Sequence, residues 1–210
     1  MSQLLLGGAL VLLMIDSAIE LALLSSMVGY LHRSGANQYP FVLDDGTIAF
    51  INAKPKGLLL NEGHTSNGAS GTALILVCFG GFLVLCTTGR PSQLFLVYTI
   101  FTLLSWLLTL VALAYTFAVT NQTKGQSIDE AVAVLSQGEN YPLDNWSPEN
   151  WTKALLALPL TSSTDANYLS HWLHVIEGWK WNLIPMFLLG LLVASLTVKE
   201  YLRDRRFTKA

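Results

Sequence analysis

The chain has 210 residues, 52% of them hydrophobic and only 12% charged, with a formal net charge of -2. A soluble domain carries about 25% charge, so long apolar runs at half that charge point to an integral membrane protein. The near-neutral balance and the absence of a basic patch interleaved with aromatics exclude a nucleic-acid partner.

The first apolar run, roughly 4–29, is long enough to cross a bilayer. No basic n-region precedes it and no small-x-small site ends its apolar part, so it reads as a retained span rather than a cleaved leader. Within it, MIDSAIEL places Asp16 and Glu20 one helical turn apart. They share a stripe with Leu12, Leu13, Leu23 and Met27, while Ala18, Ala22 and Ser26 form a small-residue seam on another face. A charged acid at the centre of a span costs on the order of 3 kcal/mol. The cores of the other spans hold no Lys, Arg or His. Neutralisation must then come from a proton, a bound cation or a basic residue of another chain. The hydroxyls of Tyr98, Thr102, Ser105 and Thr109 could share hydrogen bonds with a protonated acid.

The first loop, 30–70, contains FVLDDGTIAF. Asp45-Gly46 is a signal for a two-residue hairpin turn. That turn sets Leu43 opposite Ile48 and Phe41 opposite Phe50, with all four on one apolar face. His32 and His64 flank this loop.

The second and third spans are 71–88 and 93–119, joined by the tight turn GRPS that holds Arg90. Cys78 and Cys86 both lie in the second span and read as small packing residues, so the outer loops have no disulfide framework. No P-loop, GxGxxG or CxxC is present, and the residues leave the cofactor unknown.

The second loop, 120–180, holds three N-glycosylation acceptors, Asn121, Asn145 and Asn150, with Pro148 weakening Asn145. Ser127 is a helix-start signal before an apolar stretch, and Ser147-Pro148-Glu149 is a second. A third helix begins near Thr164-Asp165 and runs toward the last span, 181–198. Pro185 should kink that span or mark its first turns, and Trp172, Trp179 and Trp181 suit a membrane interface. On the same helix, His171, His174 and Glu177 fan across one face. They are candidate metal ligands if others join them, and otherwise the wet side of an interfacial helix.

Basic residues set the orientation. The tail 199–210 holds Lys199, Arg203, Arg205, Arg206 and Lys209, and Arg90 sits in the tight turn. Tail, turn and N-terminus are therefore expected in the cytosol and both long loops outside or in the lumen, on the side of the acceptor asparagines. The expected architecture is a bundle of four transmembrane helices with a β-hairpin in the first outer loop and short helices in the second. The plan resembles the claudin and tetraspanin architectures in topology alone. The cysteine motifs of their outer loops are absent, and no function follows.

Three functions fit. The leading expectation is an assembly, accessory or scaffold component of the secretory pathway or plasma membrane. Its partners would be the bilayer and a membrane partner chain or further copies of itself. The second is a membrane-embedded enzyme using Asp16 and Glu20 as acid and base, with a His-bound metal at the outer rim. The third is a proton- or cation-coupled channel or carrier lined by the two acids.

Overall fold

The computed structural model describes residues 2–87 and 92–208, with side chains over 3–87 and 93–203. Arg90 and its turn, Lys209, and the side chains of Arg205 and Arg206 lie outside the described residues.

The elements in chain order are α1 (Ser2–Ser34), β1 (Gln38–Val42), β2 (Ile48–Asn52) and α2 (Asn61–Thr72), the last running through a π-helical stretch (Ala73–Phe79) into α3 (Gly80–Cys86). Then follow α4 (Ser92–Gln122), α5 (Glu130–Leu135), α6 (Pro148–Ala157) and α7 (Ser163–Thr208). Among the described residues four helical segments are long and apolar enough to cross a membrane: Gln3–Ser34, Asn61–Cys86, Gln93–Gln122 and Ser163–Arg203. The chain divides into two units, which α1, α4 and α7 each help to build. One is Met1–Ala22, Gly63–Tyr115 and Lys180–Ala210; the other is Leu23–Glu62 and Thr116–Trp179.

The span unit is built inside out relative to a soluble bundle. Along α4 the buried positions Thr99, Thr102, Ser105, Thr109 and Ala112 repeat every three or four residues. The large apolar residues Leu94, Phe101, Leu104, Leu107 and Val111 are exposed. That is the arrangement expected in lipid, where hydrocarbon solvates leucine as well as a core does and small residues let helices approach. Thr99, Thr102 and Thr109 each donate to the carbonyl four residues back, so the buried face carries no unmet hydroxyl at those positions. The unit's core comprises Leu6, Leu10, Leu13, Ala69, Ala73, Val77, Leu183, Met186 and Val193, among others.

The helix that carries the expected second span, 71–88, begins at Asn61, ten residues earlier. Its first half, NEGHTSNGASGT, is polar in composition, yet Ser66, Ala69, Ser70 and Ala73 fall on one helical stripe and are buried. Ser70 donates to its own helix at Ser66 O, 2.9 Å away, which removes the cost of burying its hydroxyl. Farther along, the Tyr98 hydroxyl donates to Val77 O in the π-helical stretch at 3.1 Å. A Cβ at Gly81 would collide with that hydroxyl and with Leu10. The glycine leaves room for that close approach.

The other unit has its own aromatic core. Tyr141, Trp146 and Trp151 pack edge-on or tilted with ring centroids 5.1 to 6.3 Å apart. Tyr39, Phe41, Ile51 and Leu169 are among the other residues of the cluster. Three short bridges tie the loops to it, Phe41 with Leu160, Pro55 with Tyr141 and Leu58 with Trp146.

The hairpin forms, but its register is one residue away from the expected one. Val42 pairs with Ile48, Phe41 with Ala49 and Tyr39 with Ile51. Gly46 N–H donates to Leu43 O, and Leu43 N–H donates to Thr47 O. With Gly46 at φ 84° this is a three-residue connection closed by a left-handed glycine, not the two-residue turn. Asp45 stabilises it by accepting from the Thr47 amide and hydroxyl. The slip exchanges the faces of β2: Ala49 and Ile51 are buried, and Ile48 and Phe50 are exposed.

In the second loop, α6 starts as expected, with the Ser147 side chain accepting from Asn150 N and Pro148 in the first turn. The helix before it starts later than Ser127. Asp129 caps α5, accepting from the Ala131 and Val132 amides. The cap is set there because Ile128 is buried and the Asp129 amide donates to the Tyr141 hydroxyl. The last helix is continuous from Ser163 to Thr208, so Pro185 lies within it and does not mark its first turns.

Candidate functional site

The buried stripe of α1 runs Leu6, Leu10, Leu13, Ser17, Glu20, Leu24, Met27 and Tyr30, in steps of three or four. This is the seam spacing of packed helices. Ser17 and Glu20 occupy seam positions, and both are fully buried. Asp16 sits at the edge of the seam, half-buried, and Leu12 is exposed. The stripe is therefore centred between the positions expected for it. Ala18, Ala22 and Ser26 face outward.

The polar partner of the acids is Asn182 of α7. Its Nδ2 donates to Glu20 Oε2 at 3.0 Å and to the Asp16 backbone carbonyl at 3.4 Å. Among the described residues no cationic side chain pairs with either acid. Asp16 Oδ2, Ser17 Oγ and Glu20 Oε1 are buried without a hydrogen-bond partner. Three of the four expected hydroxyls are engaged elsewhere. Thr102 and Thr109 donate within α4, and Tyr98 donates to Val77 O. Asn182 is neither a cation nor a hydroxyl, so it stands outside the partners expected for the acids. An amide two residues into a span was itself the signal, since a side-chain amide at that depth needs a partner.

The second candidate, His171, His174 and Glu177, does not gather. His171 and His174 are exposed. The His171 ring lies edge-on to Trp172 at 5.3 Å, and His174 Nδ1 is 2.7 Å from Ser170 O. Glu177 is turned to Lys153, whose Nζ is 2.8 Å away and also 2.7 Å from Glu149. Burial by itself would lower the Lys153 pKa. The hydrogen bonds and charges of Glu149 and Glu177 outweigh that and hold it above its ordinary value. Among the described residues no three His, Cys, Asp or Glu side chains are placed to hold a metal ion. Of the three tryptophans, Trp181 is exposed and carries the Lys180 ammonium 5.3 Å from its ring centre. Trp179 is buried, and Trp172 stacks on Tyr30 at 4.6 Å.

The acceptor asparagines separate into two kinds. Asn121 and Asn145 are exposed. Asn150 is only 6% exposed. Its Nδ2 donates to Thr120 O and to Thr123 Oγ1, both at 2.7 Å. The Thr123 hydroxyl lies 2.9 Å from Ser147 Oγ. The end of α4 is thereby tied to the start of α6 through the amide a glycan would need.

Four apolar helices of spanning length, a small antiparallel hairpin and a mostly helical chain support the class of multi-pass membrane proteins. No protein family, no curated protein and no solved structure matches the chain.

Proposed function

We propose that this is a small four-pass membrane protein of the secretory pathway or plasma membrane that works as an assembly, accessory or scaffold component. The basic residues Lys199 and Arg203 near the end of the last span support a cytosolic C-terminus, with 30–70 and 120–180 on the opposite side. Asn121 and Asn145, both exposed, are the sites at which glycans would mark that side.

The observation that carries the reading is the burial of Glu20 against Asn182. A general acid or base must come within about 3 Å of a reacting atom. Glu20 is fully enclosed and already bonded to an amide of the same unit, which suits a pin between α1 and α7. A single polar pair in an apolar seam sets register. The α1 face with Ala18 and Ala22 is left exposed, and small side chains there permit close approach by a further helix.

Native mass spectrometry of the detergent-purified protein, with elemental analysis, tests this. The expected result is a mass above one chain, kept in Asp16→Asn with Glu20→Gln. A lone chain whose double variant stays folded but loses a small-molecule conversion or a cation flux would end the accessory reading.

A proton- or cation-coupled carrier is the second reading. It is favoured by the three buried oxygens without a partner, on Asp16, Ser17 and Glu20. It requires flux into liposomes that Glu20→Gln abolishes.

A further inference from the structure

The turn of the hairpin and α5 enclose an open groove of about 530 Å³. Its apolar lining is Leu43, Ala131, Val134 and Leu135, and its polar lining is Asp44, Asp45 and Glu130. All belong to one unit, Leu23–Glu62 with Thr116–Trp179.

The groove follows from local structure. Capping by Asp129 starts α5 so that Ala133 points into the aromatic core. Leu135, two positions on, is then turned roughly 200° away at about 100° per residue. It is 87% exposed. In the spans an exposed leucine has hydrocarbon for a solvent; Leu135 lies outside them, on a helix too short and too polar at its start to cross a membrane. Leu43 and Val134 are half-buried and continue from the core to the groove floor.

The charge around this floor has one sign. Segments 41–50 and 127–139 hold Asp44, Asp45, Asp129, Glu130 and Glu139 and no Lys or Arg. Among the described residues none of Asp44, Asp45 and Glu130 is ion-paired. The hydrogen bonds from the Thr47 hydroxyl and amide keep the Asp45 carboxyl below its ordinary pKa, so it stays ionised at neutral pH. An apolar floor under an acidic rim repels an anionic surface. It matches a segment that offers both positive charge and a hydrophobic side chain.

We propose that this groove docks a cationic segment of another protein, with one aliphatic side chain seated against Leu135 and Lys or Arg side chains over Asp44, Asp45 and Glu130. This rests on the accessory reading, to which it adds the chemistry of the partner. The anchor supplies most of the affinity, and the rim supplies selectivity and salt dependence.

The test uses the full chain in phosphatidylcholine nanodiscs and a fluorescent synthetic peptide of alternating lysine and leucine, followed by anisotropy. The same peptide with glutamate in place of lysine is the counterpart. The lysine peptide should bind at least about tenfold more tightly than the glutamate one. Leu135→Ser should weaken it about tenfold, the effect of losing one buried leucine contact. Asp44→Asn with Glu130→Gln should weaken it severalfold and flatten its salt dependence. The proposal is overturned by no binding, by equal binding to empty nanodiscs or of the glutamate peptide, or by variants that bind as the parent does. None of these outcomes alters the mass of the purified assembly, so the accessory reading stands or falls separately.

Discussion

Asn182 Nδ2 stands 3.0 Å from Glu20 Oε2, joining the last span to the first at a fully buried carboxyl. The same amide reaches the Asp16 carbonyl, so one side chain serves two turns of α1. Among the described residues no cationic side chain pairs with either acid. The pair is therefore an amide holding an acid, and it behaves as a hydrogen bond rather than an ion pair.

The first prediction concerns that bond. Asn182→Leu leaves Glu20 with both oxygens buried and no partner, and should destabilise the span unit by about 1–3 kcal/mol. Glu20→Gln keeps an acceptor for Asn182 and should cost less than about 1 kcal/mol. Glu20→Leu with Asn182→Leu should recover much of the loss, giving a coupling in a double-mutant cycle. Thermal unfolding in detergent measures all four proteins. Additive single effects would show that the two side chains do not interact.

A second prediction separates the acceptor asparagines. Asn150 should carry no glycan in the folded protein, because its amide is bonded to Thr120 and Thr123. Asn150→Ala should lower stability by about 1–3 kcal/mol through the unmet partners. Asn121→Gln and Asn145→Gln should leave stability within about 0.5 kcal/mol, as exposed sites do. Gel mobility before and after endoglycosidase treatment reads occupancy in each variant expressed in a secretory system. A shift lost on Asn150→Gln would contradict the buried placement.

The hairpin register gives a third. Ala49 is 1% exposed and Phe50 is 41% exposed. Ala49→Asp should cost more than about 2 kcal/mol by burying a charge without a partner. Phe50→Ser should cost less than about 1 kcal/mol, since half of the ring already meets solvent. The opposite ranking, measured by denaturant or thermal unfolding, would mean that Asp45-Gly46 makes a two-residue turn after all.

The fourth concerns pH. Lys153 has its pKa raised in the folded state by Glu149 and Glu177, against the effect of burial. A raised value means that the folded state binds the proton more tightly than the unfolded chain. The stabilisation is complete below the ordinary lysine value of about 10.4. It fades as pH rises through the folded value. Lys153→Met should lower stability near neutral pH and remove that part of the alkaline decline. The effect should shrink with salt, because the lysine side chain is 45% exposed. Melting temperatures from pH 7 to 11 in low and high salt check this.

Much of the architecture is legible in the residues themselves. Long apolar runs mark four helices long and apolar enough to cross a membrane, since a run of 18 or more such residues matches the thickness of a bilayer. Ser147-Pro148 marks the start of α6 because its groups satisfy a helix N-terminus within four residues. The acids Asp16 and Glu20 stand out because a carboxyl in hydrocarbon always needs an explanation. Three things were decided elsewhere in the fold. Strand β2 takes the register that buries Tyr39, Phe41, Ala49 and Ile51 against Trp146 and Trp151, a core built mainly from residues a hundred positions away. The polar start of the second span becomes helix because Ser66, Ala69 and Ser70 are small enough to be packed. Glu20 meets Asn182, and not a hydroxyl of α4, because helix packing chooses which polar side chains face one another. Spacing along the chain determines which residues share a face of one helix. Only the packed tertiary structure determines what that face meets.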